Sequence, residues 1–295
     1  MNESMLAAAF GIVAAIGWGI SGFFDAKASR TVHPIVASFA VNGLLAALYV
    51  LIYFFFLHEG FMSDTPGTLY AAIGGAIIAI GAIAYFKALS IGPITLASPM
   101  SSAYPLVTTL VAVVIFGHAL SPGQGVAILF IIGGILLVTE FFQTALQRRT
   151  VQKGPLLGLL TAVCWGIGYA CVAQAVQSSG WQQATLVELI AMMVAFGVCI
   201  PFLKDRKELH TTTIIRALRT RNIIIASLVA LVAALSFNIG FTYDAAGGAV
   251  VVALSAFYPV LTVILALRHF DEPVRKTQLA GVTASIIGVI GIVNL

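Results

Sequence analysis

Stretches of about 20 mainly apolar residues, the length a helix needs to cross the hydrocarbon core of a bilayer, follow one another along the whole chain. Ten are expected, at 4–24, 34–57, 66–90, 94–116, 122–142, 155–177, 181–203, 222–243, 246–268 and 274–294. Only short connections remain, the longest about 204–221, and no soluble domain fits between them. Hydrophobic residues make up 60% of the 295 and charged residues 9%, against roughly 25% charged in a soluble domain. Such a chain cannot cover its own surface in water, so the expected fold is an all-α polytopic membrane protein. No basic segment precedes the first stretch, which is therefore expected to be a retained helix and not a cleaved signal. Cys164, Cys171 and Cys199 all fall in expected helices and are read as small apolar fillers.

Charge supports this division. Of the fifteen Lys and Arg, all but Lys87 fall in odd-numbered connections: Lys27 and Arg30 after the first helix, a group including Arg148 after the fifth. Lys204 to Arg221 and Arg268 to Lys276 follow the seventh and ninth. Lys87 lies close to the end of the third helix, from which its long side chain can snorkel to the interface. By the positive-inside rule the odd connections are cytoplasmic, which places both termini outside.

Two segments then repeat. Residues 15–20 read AIGWGI and 162–167 read AVCWGI, so Trp18 and Trp165 mark equivalent positions 147 apart. Ser101-Ser102-Ala103-Tyr104-Pro105 pairs in the same way with Ser255-Ala256-Phe257-Tyr258-Pro259. The expected units are 1–147 and 148–295, five helices each. Five is odd, so the second copy enters from the opposite face. Inverted repeats of this kind occur in many secondary transporters, with the substrate site near the midplane.

The five-plus-five arrangement, the Trp-Gly near the start of each half, and the Tyr-Pro in helices 4 and 9 resemble the EamA family of the drug/metabolite transporter superfamily. Phe270-Asp271-Glu272-Pro273 also resembles the family's turn before the last helix, whereas the matching turn after helix 4 holds His118. Many relatives are described with cytoplasmic termini, unlike the orientation read from the charges. The resemblance implies a central cavity lined by Trp18, Tyr85, Ser98, Ser101, Tyr104, Trp165, Asn238, Tyr243, Ser255 and Tyr258. It implies export of amino acids or related metabolites or of drugs, or uptake of sugars or vitamins.

Several residues stand out on their own account. Trp18 and Trp165 sit well inside their helices, away from the interfacial belt, where an indole N–H needs a partner. Tyr104 and Tyr258 precede prolines that break the helix ladder. Glu188 lies about 10 Å into helix 7 at 1.5 Å per residue, and carboxyls at such depth usually serve a pathway or pair internally. Asn42 is read as amide glue between helices, Asp244 as facing outside water, and Asp25 and Glu140 as ordinary helix-end charges.

Rival chemistries lack essential parts. Gly19-Ile20-Ser21-Gly22 looks like a serine-protease motif, but no histidine sits mid-helix to act as base. Tyr243-Asp244 has no second Gly-x-Gly-Asp, and no phosphate loop or channel filter is written. The expected function is a secondary transporter in the plasma membrane, working by alternating access on a small amphipathic metabolite. An amino acid, aromatic or otherwise neutral, moved outward is the first expectation; an intramembrane enzyme or channel is the rival class. No cofactor, metal or nucleic-acid partner is expected, and a monomer in the bilayer suffices.

Overall fold

The computed structural model describes residues 3–57, 65–117, 122–138, 153–199, 202, 208–244, 248–270 and 276–294. Every regular element among them is helical: α1 (Glu3–Thr31), α2 (Pro34–Ile52), α3 (Thr65–Ile91), α4 (Ile94–Ser101), α5 (Tyr104–Val114) and α6 (Pro122–Val138) are followed by α7 (Lys153–Cys199), α8 (Thr211–Leu218), α9 (Arg221–Thr242), α10 (Ala249–Ser255), α11 (Tyr258–Phe270) and α12 (Lys276–Asn294). His118, Glu140, Glu272 and the basic residues at 148, 149, 204, 206, 207 and 275 lie outside the described residues.

Seven helical segments among the described residues are long and apolar enough to cross a membrane. The expected stretch 155–177, and residues 181–199 of the expected stretch 181–203, fall within one of them, the 47-residue α7. Gly180 breaks that helix at φ 75° and ψ 156°, a backbone conformation open to glycine and costly for other residues. The chain therefore forms two arms, 153–179 and 181–199. The stretches 122–142 and 274–294 are helical over Pro122–Val138 and Lys276–Asn294 and are not among the seven.

Two further boundaries differ from expectation. The first helix does not stop at 24 but runs to Thr31. Phe23, Phe24, Ala26 and Ala28 are compatible with a helix, and nothing breaks it before Pro34 opens α2. At the end of α2 the helix widens into a π-turn over Tyr53–Leu57, which leaves Phe54, Phe55 and Phe56 exposed.

The two Tyr-Pro motifs each open the second piece of a broken helix. Between α4 and α5, Ser102 and Ala103 have ψ near 0°; between α10 and α11, Ala256 does the same. Proline supplies no N–H to the ladder, so the break falls just before it in both places. α3 packs along α7 and α1 along α9, while the broken helices close the opposite sides: α4 and α5 lie on α7, and α10 and α11 on α1. The core that results is rich in alanine and glycine, as expected where helices approach closely in lipid.

Candidate functional site

The contact between broken and unbroken helices is made twice, with the same atoms in each case. Thr108 Oγ1 donates to the Tyr104 carbonyl at 3.0 Å and to the Gly166 carbonyl at 3.0 Å. Thr262 Oγ1 donates to the Tyr258 carbonyl at 3.1 Å and to the Gly19 carbonyl at 3.0 Å. Gly19 and Gly166 are the residues that follow the repeated tryptophans. A Cβ on Gly19 would lie 2.7 Å from Leu261 Cβ, and one on Gly166 would lie 2.4 Å from Val107 Cβ. The repeated Trp-Gly thus marks where each half's first helix meets the other half's broken helix.

The tyrosines cross in the same reciprocal way. The hydroxyls of Tyr104 and Ser255 are hydrogen-bonded, as are those of Tyr258 and Ser101. Tyr104 Oη also donates to the Val252 carbonyl at 3.3 Å and Tyr258 Oη to the Ser98 carbonyl at 3.3 Å. Ser98, Ser101 and Ser255 are fully buried in these crossings and do not line the cavity described next. Tyr243 does not line it either; it ends α9, stacked on Phe10 at 5.8 Å.

Between the helices lies a cavity of about 100 Å³, open in part to the exterior. Trp18, Tyr85, Tyr104, Trp165, Glu188, Asn238 and Tyr258 line it, so seven of the site residues read from the sequence are brought together. Trp18 and Trp165 are joined by an aromatic that the sequence reading passed over. The Tyr169 ring centroid is 5.8 Å from Trp18 and 6.3 Å from Trp165, and Phe237 packs against Trp18 and Tyr169 at 4.8 Å each. The spacing Trp165 to Tyr169 is one helical turn, which puts both on one face.

Glu188 projects from the second arm of α7, its Oε2 accepting from Asn238 Nδ2 at 2.9 Å. The same amide donates to Thr185 Oγ1 at 2.8 Å. The helix bearing Glu188 comes so close to α3 that a Cβ on Gly75 would fall 2.0 Å from the Glu188 carbonyl. The carboxyl is thereby seated by a backbone contact on one side and an amide on the other.

Three polar residues are placed otherwise than expected. Asp25 is not a helix-end charge: it is buried, lines the cavity and accepts from Ser21 Oγ at 3.2 Å through Oδ2. Asn42 bridges no helices among the described residues; its amide donates to the Ser38 carbonyl of its own helix at 2.8 Å, and its side chain borders the cavity. Asp244 does not face water, being 3% exposed and holding the Val251 N–H at 2.9 Å at the start of α10. Its carboxylate satisfies one of the donors that a helix start leaves unpaired.

A model of the EamA-like transporter family matches residues 5–140 and again residues 152–294. An uncharacterized transporter of Archaeoglobus fulgidus is 26% identical over 164 residues, which span 55% of this chain and 57% of that protein. An uncharacterized protein of Methanocaldococcus jannaschii is 27% identical over 131 residues, 44% of this chain but 93% of the relative. A crystal structure superposes with TM-score 0.66 at 16% identity, covering 99% of this chain and 96% of the other, a likeness of fold.

Proposed function

Because this chain belongs to the EamA-like transporter family, a family of membrane transporters, we propose that the cavity is the substrate site of a secondary transporter working by alternating access. One observation carries this reading: Trp18 and Trp165, equivalent residues of two repeats, line a single cavity together with the buried carboxyl of Glu188. Ionisable groups held at such depth mark substrate or ion pathways, and midplane sites between repeats are the usual place for them.

The lining supports a small amphipathic metabolite. Trp18, Trp165, Tyr169 and Phe237 offer ring faces for an apolar or aromatic body. Glu188 and Asn238 offer polar contacts for its head. An amino acid or related compound, moved outward across the plasma membrane, is the substrate and direction we propose. A drug, sugar or vitamin is the alternative.

Reconstitution in proteoliposomes tests this. Entrapped amino acids, sugars, nucleosides and cationic drugs are each offered against a labelled pool. Saturable flux of one class is the expected result, and no saturable flux of any class would overturn the reading. Orientation is tested separately by single cysteines at residues 3 and 150, the first expected to label only from outside.

A further inference from the structure

Asp25 is 7% exposed and Tyr85 3%, yet both line the cavity. Asp25 Oδ2 has the Ser21 hydroxyl; Oδ1 has no hydrogen-bond partner among the described residues. Tyr85 Oη sits against α1 one turn earlier, where a Cβ on Gly22 would lie 2.9 Å from it, and it too has none. Trp165, whose ring centroid is 5.0 Å from that of Tyr85, also has no partner for its Nε1, which lies close to Gly81 of α3. A buried polar atom left unpaired is costly, and three beside one cavity indicate partners supplied by what enters it.

The chemistry of that partner follows from the charges. Among the described residues the lining holds two carboxyls, Asp25 and Glu188, and no Lys, Arg or His. Lys27, on the same helix as Asp25, turns its Nζ to the Phe23 ring at 4.9 Å. A ligand carboxylate would therefore meet no cation here, whereas an ammonium would complete the Asp25 oxygen and rest beside ring faces that attract cations. Trp165 Nε1 is a donor only and suits a neutral oxygen near the amine. Glu188 lies elsewhere in the cavity. It packs at Gly75 of α3, ten residues before Tyr85, hence about 15 Å along the helix.

We propose that the Asp25 end of the cavity is a subsite for a protonated amine, Asp25 Oδ1 accepting its N–H, so that the cavity prefers monoamine cations to zwitterions and anions of the same shape. This rests on the cavity being the substrate site and narrows the substrate class within it. Within the proposed class of amino acids and related compounds it favours the related amine, because an amino acid's carboxylate meets no cation among the lining residues.

The test uses the full chain in detergent and four compounds sharing one ring: 2-phenylethylamine, L-phenylalanine, 3-phenylpropionate and 2-phenylethanol. Binding is read from intrinsic tryptophan fluorescence. The amine is expected to bind at least about 10-fold more tightly than each of the others, as a hydrogen bond to a charged group warrants. Asp25→Asn should erase that preference while leaving the alcohol's affinity within about 2-fold, and Asp25→Glu should restore part of it. Should Asp25→Asn fail to fold, Tyr85→Phe is expected to weaken the amine several-fold and the alcohol not at all. An amine preference undiminished in Asp25→Asn, or in Tyr85→Phe where that variant stands in, would overturn the subsite. Equal binding of amine and amino acid by wild type, or no binding of the amine, would overturn it as well. An intact amine preference with no flux of any compound sinks the transport reading alone. Saturable flux that ignores both charge and Asp25 sinks the subsite alone.

Discussion

Val41 on α2 and Glu188 on α7 stand at matching places in the two repeats, 147 apart like the tryptophans. So do Tyr85 on α3 and Phe237 on α9, which pack on Trp165 and Trp18 respectively, and with them the next residues, Phe86 and Asn238. Each pair lines the cavity, but only one member carries the polar group. Asp25 likewise answers to Val172 by the spacing that relates Trp18 to Trp165. The Thr108 and Thr262 bonds, by contrast, agree within 0.1 Å between halves. The frame has kept its symmetry, as have the lining pairs Trp18 and Trp165 and Tyr104 and Tyr258, whereas the remaining polar groups of the lining have lost it. Bonds that hold two helices together demand the same atoms in both copies, whereas a cavity must fit a molecule that lacks a twofold axis.

The comparison can be broken where it is most unequal. Glu188→Gln should lower transport about 10- to 100-fold, the range of a hydrogen bond to a charged group, with folded yield little changed because the amide oxygen still accepts from Asn238. Val41→Ala, at the matching place, should leave flux close to wild type. Proteoliposome flux per folded protein decides, and equal losses at the two positions would mean the halves share the polar work.

The frame should respond equally on both sides. Gly19→Ala and Gly166→Ala each press a methyl group into the facing helix, and overpacking of this kind costs about 1–3 kcal/mol. Thermal unfolding in detergent should show similar drops for both; a fall in only one would deny the symmetry. Trp18→Ala and Trp165→Ala should each weaken substrate several-fold to tens-fold, given about 0.5–2 kcal/mol for a ring face on a cation. Trp→Phe at either position should recover part of the loss. Stable alanine variants that transport normally would remove both rings from the site.

The smallest effects belong to the crossed tyrosines. Tyr104→Phe and Tyr258→Phe each remove a bond worth about 0.5–1.5 kcal/mol. Adding Ser101→Ala to Tyr258→Phe should cost less than Ser101→Ala alone, since the two side chains share one bond. Full additivity in unfolding measurements would mean the crossing is not a bond in solution.

Much of this was legible in the sequence, because the features concerned are local or repeat. Apolar runs of spanning length read as helices, and a tryptophan written twice at one spacing reads as a duplicated position. The crossings were not legible: a serine's partner more than 150 residues away leaves no mark near it. Asp25 was missed because the apolar run ends at residue 24, although Ser21 and Asp25 are one turn apart in a segment with no proline. That spacing was the available signal. Tyr169 and Phe237 were passed over because aromatic residues in apolar helices carry no label, and only alignment of the two halves places Phe237 opposite Tyr85. Asp244 follows the end of α9, where a residue that caps the next helix cannot be told from one that meets water.

The reciprocal crossing has a consequence for how such a chain can arise. A bond given by residue i of one copy to j of the other, and returned from i of the second to j of the first, is an isologous contact, the kind that joins a twofold dimer. A chain of half this length with the same residues would already contain both sides of the interface. It could complete them only against a second copy of itself. The Methanocaldococcus relative, 93% of which aligns within 44% of this chain, has the size of such a half. Fusing two copies adds no contact that the dimer lacked. What fusion provides is the freedom for Asp25 and Val172 to differ, which two products of a single gene cannot do.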